Sequence, residues 1–224
     1  MATHKSKPSA VAAARKKGPP YLWIGVAVLV VLLAVAAAVA SSGGGGGKND
    51  ASTAGLEQTR PVTITGTALP KFPSSGDDPG VGQTIPEAKG QSFDGTPVDI
   101  RADGRPKLIL FVAHWCPHCQ REVPLLAKYM KSHPLPAGVD LYTVSTAVNP
   151  PQGNYPPSTW LKKEGWTAPV LADSDKSEAA DAFGLPGFPY FVAVDGAGKV
   201  VARTSGEIST DDFTALALKA LGNQ

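Results

Sequence analysis

The sequence predicts an α/β domain in which helices flank a central mixed β-sheet. Short apolar runs that suit buried strands, such as residues 107–113, alternate along the chain with segments of helical periodicity. Towards the carboxyl end, residues 190–194 and 199–204 instead predict a hairpin around Gly196 and Gly198. The resulting order β-α-β-α-β-α-β-β-α gives one sheet with both parallel and antiparallel strands.

The segments before the first buried strand predict a smaller unit. Residues 62–65 alternate weakly and predict a strand, and residues 92–100 predict a hairpin that turns at Asp94 and Gly95. Residues 68–82 are rich in Pro, Gly, Ser and Asp, which favours irregular structure. We therefore expect an amino-terminal hairpin ahead of the central sheet.

The remaining elements have recognisable ends. Ser174 and Ser209 suit the N-cap of a helix because a serine hydroxyl can accept a backbone N–H. Gly184 suits the end of a helix because glycine adopts the left-handed conformation without strain. Besides the hairpins, helices are predicted at residues 119–132, 156–163, 174–183 and 209–221, and strands at residues 107–113, 139–145 and 170–172.

Three unlike pieces precede this domain. Residues 1–20 carry five basic and no acidic side chains, and residues 21–40 carry no charge. A stretch of that length crosses about 30 Å of hydrocarbon as a helix. The positive-inside rule places the basic tail in the cytoplasm and the rest of the chain outside the cell membrane. Residues 41–59, which include an unbroken glycine run, predict a flexible linker to the domain at residues 60–224.

A cleaved signal peptide is the alternative interpretation of the apolar stretch. Ala38-Val39-Ala40 has the small-x-small form of a cleavage site, which would give a protein secreted after cleavage near Ala40. The apolar core is longer than the roughly 7–15 residues usual in signal peptides, which favours a retained single-pass anchor. The basic tail accounts for the net charge of +2, and no pattern elsewhere indicates a nucleic-acid partner.

The two cysteines of the chain, Cys116 and Cys119, follow the first buried strand in the sequence Trp-Cys-Pro-His-Cys. Thiols at this spacing can close a small reversible disulfide, and the first would lie exposed at a helix N-terminus, where backbone N–H groups stabilise a thiolate. A purely structural bridge is disfavoured because so short a loop gives little entropic stabilisation. A metal site that also uses His114 and His118 is a further alternative. The pattern favours thiol–disulfide exchange, with no cofactor besides the cysteine pair.

These residues resemble the thioredoxin superfamily, and most of all its membrane-anchored, TlpA/ResA-like thiol–disulfide oxidoreductases. Glu122 and Pro124 complete the C-x-x-C-x-x-E-x-P pattern of that branch, and Gly187-Phe188-Pro189 resembles its cis-proline loop. The resemblance implies a thioredoxin-like fold over residues 60–224. It also implies protein thiols or disulfides as substrates and a redox partner in or outside the membrane.

The sequence departs from the classical thioredoxins at two points. Leu110 stands where they have a buried Asp, and Pro117-His118 is the dipeptide of the oxidase DsbA. Thiolate stabilisation by His118 favours an oxidase or isomerase, whereas a carboxylate at Glu122 favours a reductase. We expect the histidine to dominate because it lies within the motif itself.

The resemblance and the helical spacing together suggest a role for each residue. Cys116 would be the nucleophile and Cys119 the resolving thiol, while Glu122, one helical turn further on, would accept the proton of Cys119. The candidate catalytic residues are Cys116, Cys119, His118 and Glu122, and the candidate substrate-binding residues are Trp115, Pro117, Phe188 and Pro189.

Two other functions remain as alternatives. One is a copper or zinc delivery protein that uses the same cysteines. The other is a thiol peroxidase, although the threonine and proline environment usual before a peroxidatic cysteine is missing. Haem attachment is disfavoured because Gln120 stands where a C-x-x-C-H motif needs histidine.

Overall fold

The computed structural model describes residues 55–222, and its elements follow the predicted order. Three amino-terminal strands come first, then strands alternate with helices, and a hairpin and a helix end the chain. In chain order the elements are β1 (Thr63–Thr65), β2 (Glu87–Gln91), β3 (Pro97–Ile100), β4 (Lys107–Val112), α1 (Pro117–Met130), β5 (Asp140–Ser145), α2 (Pro157–Lys163), β6 (Val170–Ala172), α3 (Glu178–Ala182), β7 (Tyr190–Val194), β8 (Val200–Ser205) and α4 (Thr210–Ala220).

The central sheet has five strands in the order β6-β5-β4-β7-β8. Strands β4, β5 and β6 run parallel, whereas β7 pairs antiparallel with both β4 and β8. The predicted mixed sheet is therefore confirmed. Every residue of β4 is buried, which places the motif that follows it at the end of a fully buried strand.

The side chains of β4 alternate between two apolar layers. Leu108 and Leu110 pack into a cluster that also contains buried residues of α1, α2 and α4. Ile109 and Phe111 point to the other face, where the cluster contains α3 and residues of the amino-terminal strands. This alternation follows from the two-residue period of a strand, and it explains why the run is apolar throughout.

The amino-terminal strands form a separate antiparallel sheet in the order β1-β2-β3. The predicted hairpin turns at Asp94 and Gly95, but its first strand is β2, which lies ahead of the predicted range. Residues 92–96 are instead occupied by the turn, because the Ser92 N–H donates to the Thr96 carbonyl at 2.8 Å. The Thr96 N–H in turn donates to the Asp94 carboxylate at 3.0 Å.

The helix ends agree with the predicted caps, except that one helix begins later than predicted. Ser209 caps α4 and accepts the Asp212 N–H at 3.0 Å, as predicted. The third helix begins later than predicted, because the residues after Ser174 form a turn before α3 starts. The Ser174 hydroxyl still accepts the Glu178 N–H at 3.2 Å. Gly184 follows α3 with a φ of +71°, the left-handed conformation expected there.

The basic tail at residues 1–20, the apolar stretch at residues 21–40 and most of the linker lie outside the described residues. Within residues 55–222, no helix is long and apolar enough to cross a bilayer. The Glu57 N–H and the Arg60 guanidinium both donate to the Phe93 carbonyl, at 3.0 and 2.9 Å. The boundary between linker and domain stays a prediction.

Candidate active site

Cys116 is the N-cap of α1, and Cys119 lies in the first turn. The helix can begin here because Pro117 occupies its first position, where a missing N–H costs nothing. Both thiols are free and buried, with Cys119 fully inaccessible and Cys116 only 6% exposed. The expectation of an exposed Cys116 is wrong, because its sulfur is enclosed in the core cluster and faces the Phe188 carbonyl oxygen at 3.8 Å.

The candidate substrate-binding residues lie around Cys116. The Phe188–Pro189 peptide bond is cis, as the resemblance implies. The Phe188 ring meets the Trp115 ring edge to face, with centroids 5.8 Å apart. Trp115 is fixed by its indole N–H, which donates to the Ala147 carbonyl at 2.7 Å. Pro117 is exposed on the first turn of α1, so an apolar rim surrounds the buried thiol.

Glu122 lies one turn beyond Cys119 and is 1% exposed. Burial raises the pKa of Glu122 to about 7, and the negative charge of Glu207 adds to the rise. The Ile208 N–H, 3.4 Å from both carboxylate oxygens, partly offsets it. Burial also raises the pKa of the Cys119 thiol far above its ordinary value, and the charges of Cys116 and Glu122 reinforce this effect. Cys119 is therefore held in its neutral form, whereas Glu122 can gain or lose a proton near neutral pH.

His118 lies on the opposite, exposed side of α1. Its Nδ1 is 2.5 Å from the Glu207 carboxylate, and the Arg121 Nη2 is 2.9 Å from the same nitrogen. Among the described residues, His118 makes no hydrogen bond to Cys116. The sequence predicts that this side chain assists the thiolate, but the structure directs its Nδ1 to another partner.

Arg121 and Glu207 are the charged residues that the sequence analysis missed. Arg121 donates its Nε to both oxygens of Glu207, each at 3.1 Å, and its Nη2 to one of them. The hydrogen bonds from Arg121 and His118 lower the pKa of Glu207 to about 2. Arg121 could have been found from its position three residues after His118. Glu207 could not, because no sequence pattern links residues so far apart.

His114 does not serve as an available metal ligand. Its Nε2 accepts the Asn149 N–H at 3.1 Å, so Nδ1 carries the proton that it donates to the Gly153 carbonyl at 2.8 Å. Burial lowers the pKa of His114, with a partial offset from the Gly153 hydrogen bond. Both ring nitrogens are thus used to hold the loop beside Trp115, which counts against the metal-site alternative.

Comparison with known proteins identifies several similar chains. Residues 80–218, which include both cysteines and the cis-proline, match the family model described as Redoxin. The thiol:disulfide interchange protein DsbE homolog of Paracoccus denitrificans (strain Pd 1222) is 29% identical over 147 residues, or 66% of this chain and 74% of that protein. The sporulation thiol-disulfide oxidoreductase A of Bacillus subtilis (strain 168) is 24% identical over 123 residues, or 55% of this chain and 73% of that protein.

A solved structure supports the fold. The crystal structure of a thiol:disulfide interchange protein of the thioredoxin family from Chlorobium tepidum TLS aligns with a TM-score of 0.50 at 24% identity. The alignment covers 63% of this chain and 97% of that chain. With the central mixed sheet described above, this likeness confirms the predicted thioredoxin-like fold.

Proposed function

The chain belongs to the Redoxin family, and we propose that Cys116 and Cys119 are the redox-active pair through which it exchanges disulfides with proteins. The observation that carries the proposal is the position of Cys116, which caps α1 and has Cys119 in the turn that follows. Backbone N–H groups at a helix N-terminus favour the thiolate that attacks a disulfide. Relatives described as thiol:disulfide interchange proteins support the same chemistry.

In the proposed reaction the reduced pair gives two electrons to a substrate disulfide. The Cys116 thiolate attacks one substrate sulfur, forms a mixed disulfide and displaces the other sulfur as a thiolate, which takes up a proton. Cys119 then loses its proton and attacks the Cys116 sulfur, which forms the Cys116–Cys119 disulfide and releases the second substrate thiol. The substrate gains two electrons and two protons in total. The reverse sequence oxidises a substrate dithiol, and neither direction needs another cofactor.

Glu122 is the proposed acceptor of the Cys119 proton. Burial makes that proton hard to lose, so the second step needs a nearby base. Glu122 is close enough for its charge to raise the pKa of Cys119. Its own pKa of about 7 lets it take and release a proton near neutral pH.

The apolar rim is the proposed substrate-binding surface. Trp115 and Phe188 are partly exposed and Pro117 is exposed, so an extended peptide can pack on them beside Cys116. The backbone at Phe188 and Pro189 lies at the start of β7, where a peptide can pair in the manner of an added strand. This surface would select protein substrates over small disulfides.

The proposal also includes the direction of electron flow. Oxidation or isomerisation, with a reduction potential above roughly −200 mV, is the direction that the Pro117-His118 dipeptide predicts. His118→Ala is then expected to lower the potential. A measured potential close to the roughly −270 mV of thioredoxin would instead make the protein a reductase.

We also propose that the domain acts outside the cell membrane, held there by a helix at residues 21–40. The mature chain is then expected to keep its amino terminus and to stay in the membrane fraction after a carbonate wash. A mature chain that begins at Ser41 would show that this stretch is a cleaved signal peptide.

Trapping of mixed disulfides tests the roles of the two cysteines. Cys119→Ser is expected to accumulate disulfides between Cys116 and its substrates, because the second step is blocked. Cys116→Ser is expected to trap almost none. Equal trapping by the two variants would contradict the assignment, and an absence of any exchange by the wild-type chain would contradict the function itself.

A further inference from the structure

The short segment 206–208 connects β8 to the N-cap of α4 and contacts three parts of the site. The Gly206 N–H donates to the Pro189 carbonyl at 2.8 Å, which ties the segment to the cis-proline loop. The Glu207 carboxylate contacts the exposed side of α1. The Ile208 N–H points to the buried Glu122 carboxylate. Three consecutive residues therefore link the cis-proline loop to both sides of the motif helix.

Glu207 holds two side chains from the first turns of α1, the Arg121 guanidinium and the His118 imidazole. Its Oε1 is 2.5 Å from both the His118 Nδ1 and the Arg121 Nη2. Its low pKa keeps it an anion throughout the neutral range. The charge of a Cys116 thiolate also raises the pKa of Arg121, so this cluster lies within electrostatic range of the reacting sulfur.

The geometry of the cluster depends on that anion. An arginine can only donate hydrogen bonds, and a His118 Nδ1 that donates to Glu207 cannot accept one. The Arg121 Nη2 and the His118 Nδ1 are nevertheless only 2.9 Å apart. Two donors approach so closely because they share one carboxylate oxygen between them. Without the Glu207 charge, the remaining described contact between the two side chains is the one from the Arg121 Nη2 to the His118 Nδ1, which is a hydrogen bond only when Nδ1 carries no proton.

We propose, on the basis of the thiol–disulfide function above, that Glu207 is a positioning residue that competes with the Cys116 thiolate for His118 and Arg121. A cation beside the thiolate stabilises the reduced pair and raises the reduction potential. Glu207 withholds such a cation, the Arg121 guanidinium, together with the His118 imidazole, and therefore lowers the potential below the value that the motif alone would give. Glu207 thus lowers the reduction potential of the cysteine pair without contacting either sulfur atom.

The first test measures the reduction potential of the full chain, purified in detergent, after equilibration with glutathione buffers. Glu207→Gln keeps the size of the side chain and removes its charge. It is expected to raise the equilibrium constant for the dithiol form about tenfold, which corresponds to about 30 mV for a two-electron couple. Alkylation of Cys116 by iodoacetamide at pH 7 is expected to become faster as well, because the thiolate is the reactive form.

Two controls separate competition from other effects. Asp77→Asn removes the same charge from an exposed residue of the irregular amino-terminal region, and it is expected to change neither measurement. In a chain that carries His118→Ala and Arg121→Ala, Glu207→Gln is expected to change the equilibrium constant by less than about twofold. This follows because the two side chains for which Glu207 competes are gone.

Two results would overturn the inference. One is an unchanged potential in Glu207→Gln alone. The other is the same tenfold rise in the chain without His118 and Arg121, since Glu207 would then act only through its own charge or through the fold of the segment. Failure of the proposed function would look different, because Cys119→Ser would then trap no mixed disulfides with proteins, whatever the potential of Glu207→Gln.

Discussion

On the two sides of the first turns of α1, the pKa values of carboxyl groups are shifted in opposite directions. Cys119 and Glu122 lie three residues apart on the buried side, where desolvation raises both pKa values and favours the neutral form of each group. His118 and Arg121 have the same spacing on the exposed side, where they surround the Glu207 carboxylate and lower its pKa to about 2. The buried side is suited to holding and passing a proton, whereas the exposed side is suited to setting the local charge.

The contrast arises from the surroundings of each carboxylate and not from residue type. Glutamate is present on both sides, but one carboxylate is 1% exposed with a single weak N–H partner, and the other is partly exposed between the Arg121 guanidinium and the His118 imidazole. Burial without a countercharge disfavours the ionised form, and opposite charge favours it. The 206–208 segment supplies both environments, since it carries Glu207 and the N–H that faces Glu122.

The largest expected effect is a pH-dependent loss of stability caused by Glu122. Because the folded chain raises the pKa of this carboxyl from 4.5 to about 7, it retains a proton that the unfolded chain releases between these values. Stability therefore falls as the pH rises through this window. Glu122→Gln removes the titration, so the wild type is expected to lose on the order of 2 to 3 kcal/mol more than the variant between pH 4.5 and 7.5.

Urea unfolding of the reduced protein at several pH values measures this difference. Glu178→Gln, which alters an exposed carboxylate of α3, provides the matched control and is expected to follow the wild-type curve. If Glu122→Gln also follows that curve, the buried side does not hold a neutral carboxyl. The comparison between the two sides of α1 would then fail.

A medium effect is expected at Ser209, which fixes the carboxyl end of the 206–208 segment. Its hydroxyl accepts the Asp212 N–H and donates to the Asp212 carboxylate at 2.7 Å. Ser209→Ala removes this N-cap and is expected to cost about 1 kcal/mol in the free energy of unfolding. Ser209→Asp can still cap the helix and is expected to retain most of the stability. A loss as large in Ser209→Asp as in Ser209→Ala would contradict the capping role.

The fold could be predicted because its determinants are local. The apolar run of β4, the cap at Ser209 and the glycine after α3 each act over a few neighbouring residues, and each is found where it was expected, whereas α3 begins after Ser177 and not after Ser174. The misplaced first strand of the hairpin shows the limit of this reasoning. Glu87–Gln91 contains no apolar alternation, so its strand exists only because β1 and β3 pair with it on either side.

The site could be predicted in part for the same reason. Spacing alone places Glu122 on the same side of the helix as Cys119, and the resemblance locates Phe188 and Pro189. The environment of His118 depends on Glu207, which reaches it from the far end of β8. Helical spacing shows which residues share a side, but it does not show which distant segment returns to cover that side.

The smallest expected effect on stability is at Arg121, although this residue takes part in the largest group of ionic contacts near the site. Its side chain is 57% exposed, as is that of His118, so solvent competes for each contact and salt screens it. Holding long side chains in one arrangement also costs conformational entropy, which offsets the Coulomb attraction. Arg121→Ala is therefore expected to unfold at the same urea concentration as the wild type. In a chain that also carries Glu207→Gln, it is expected to lower the reduction potential. A loss of stability as large as that of Ser209→Ala would show that the exposed side of α1 supports the fold as well as the charge of the site.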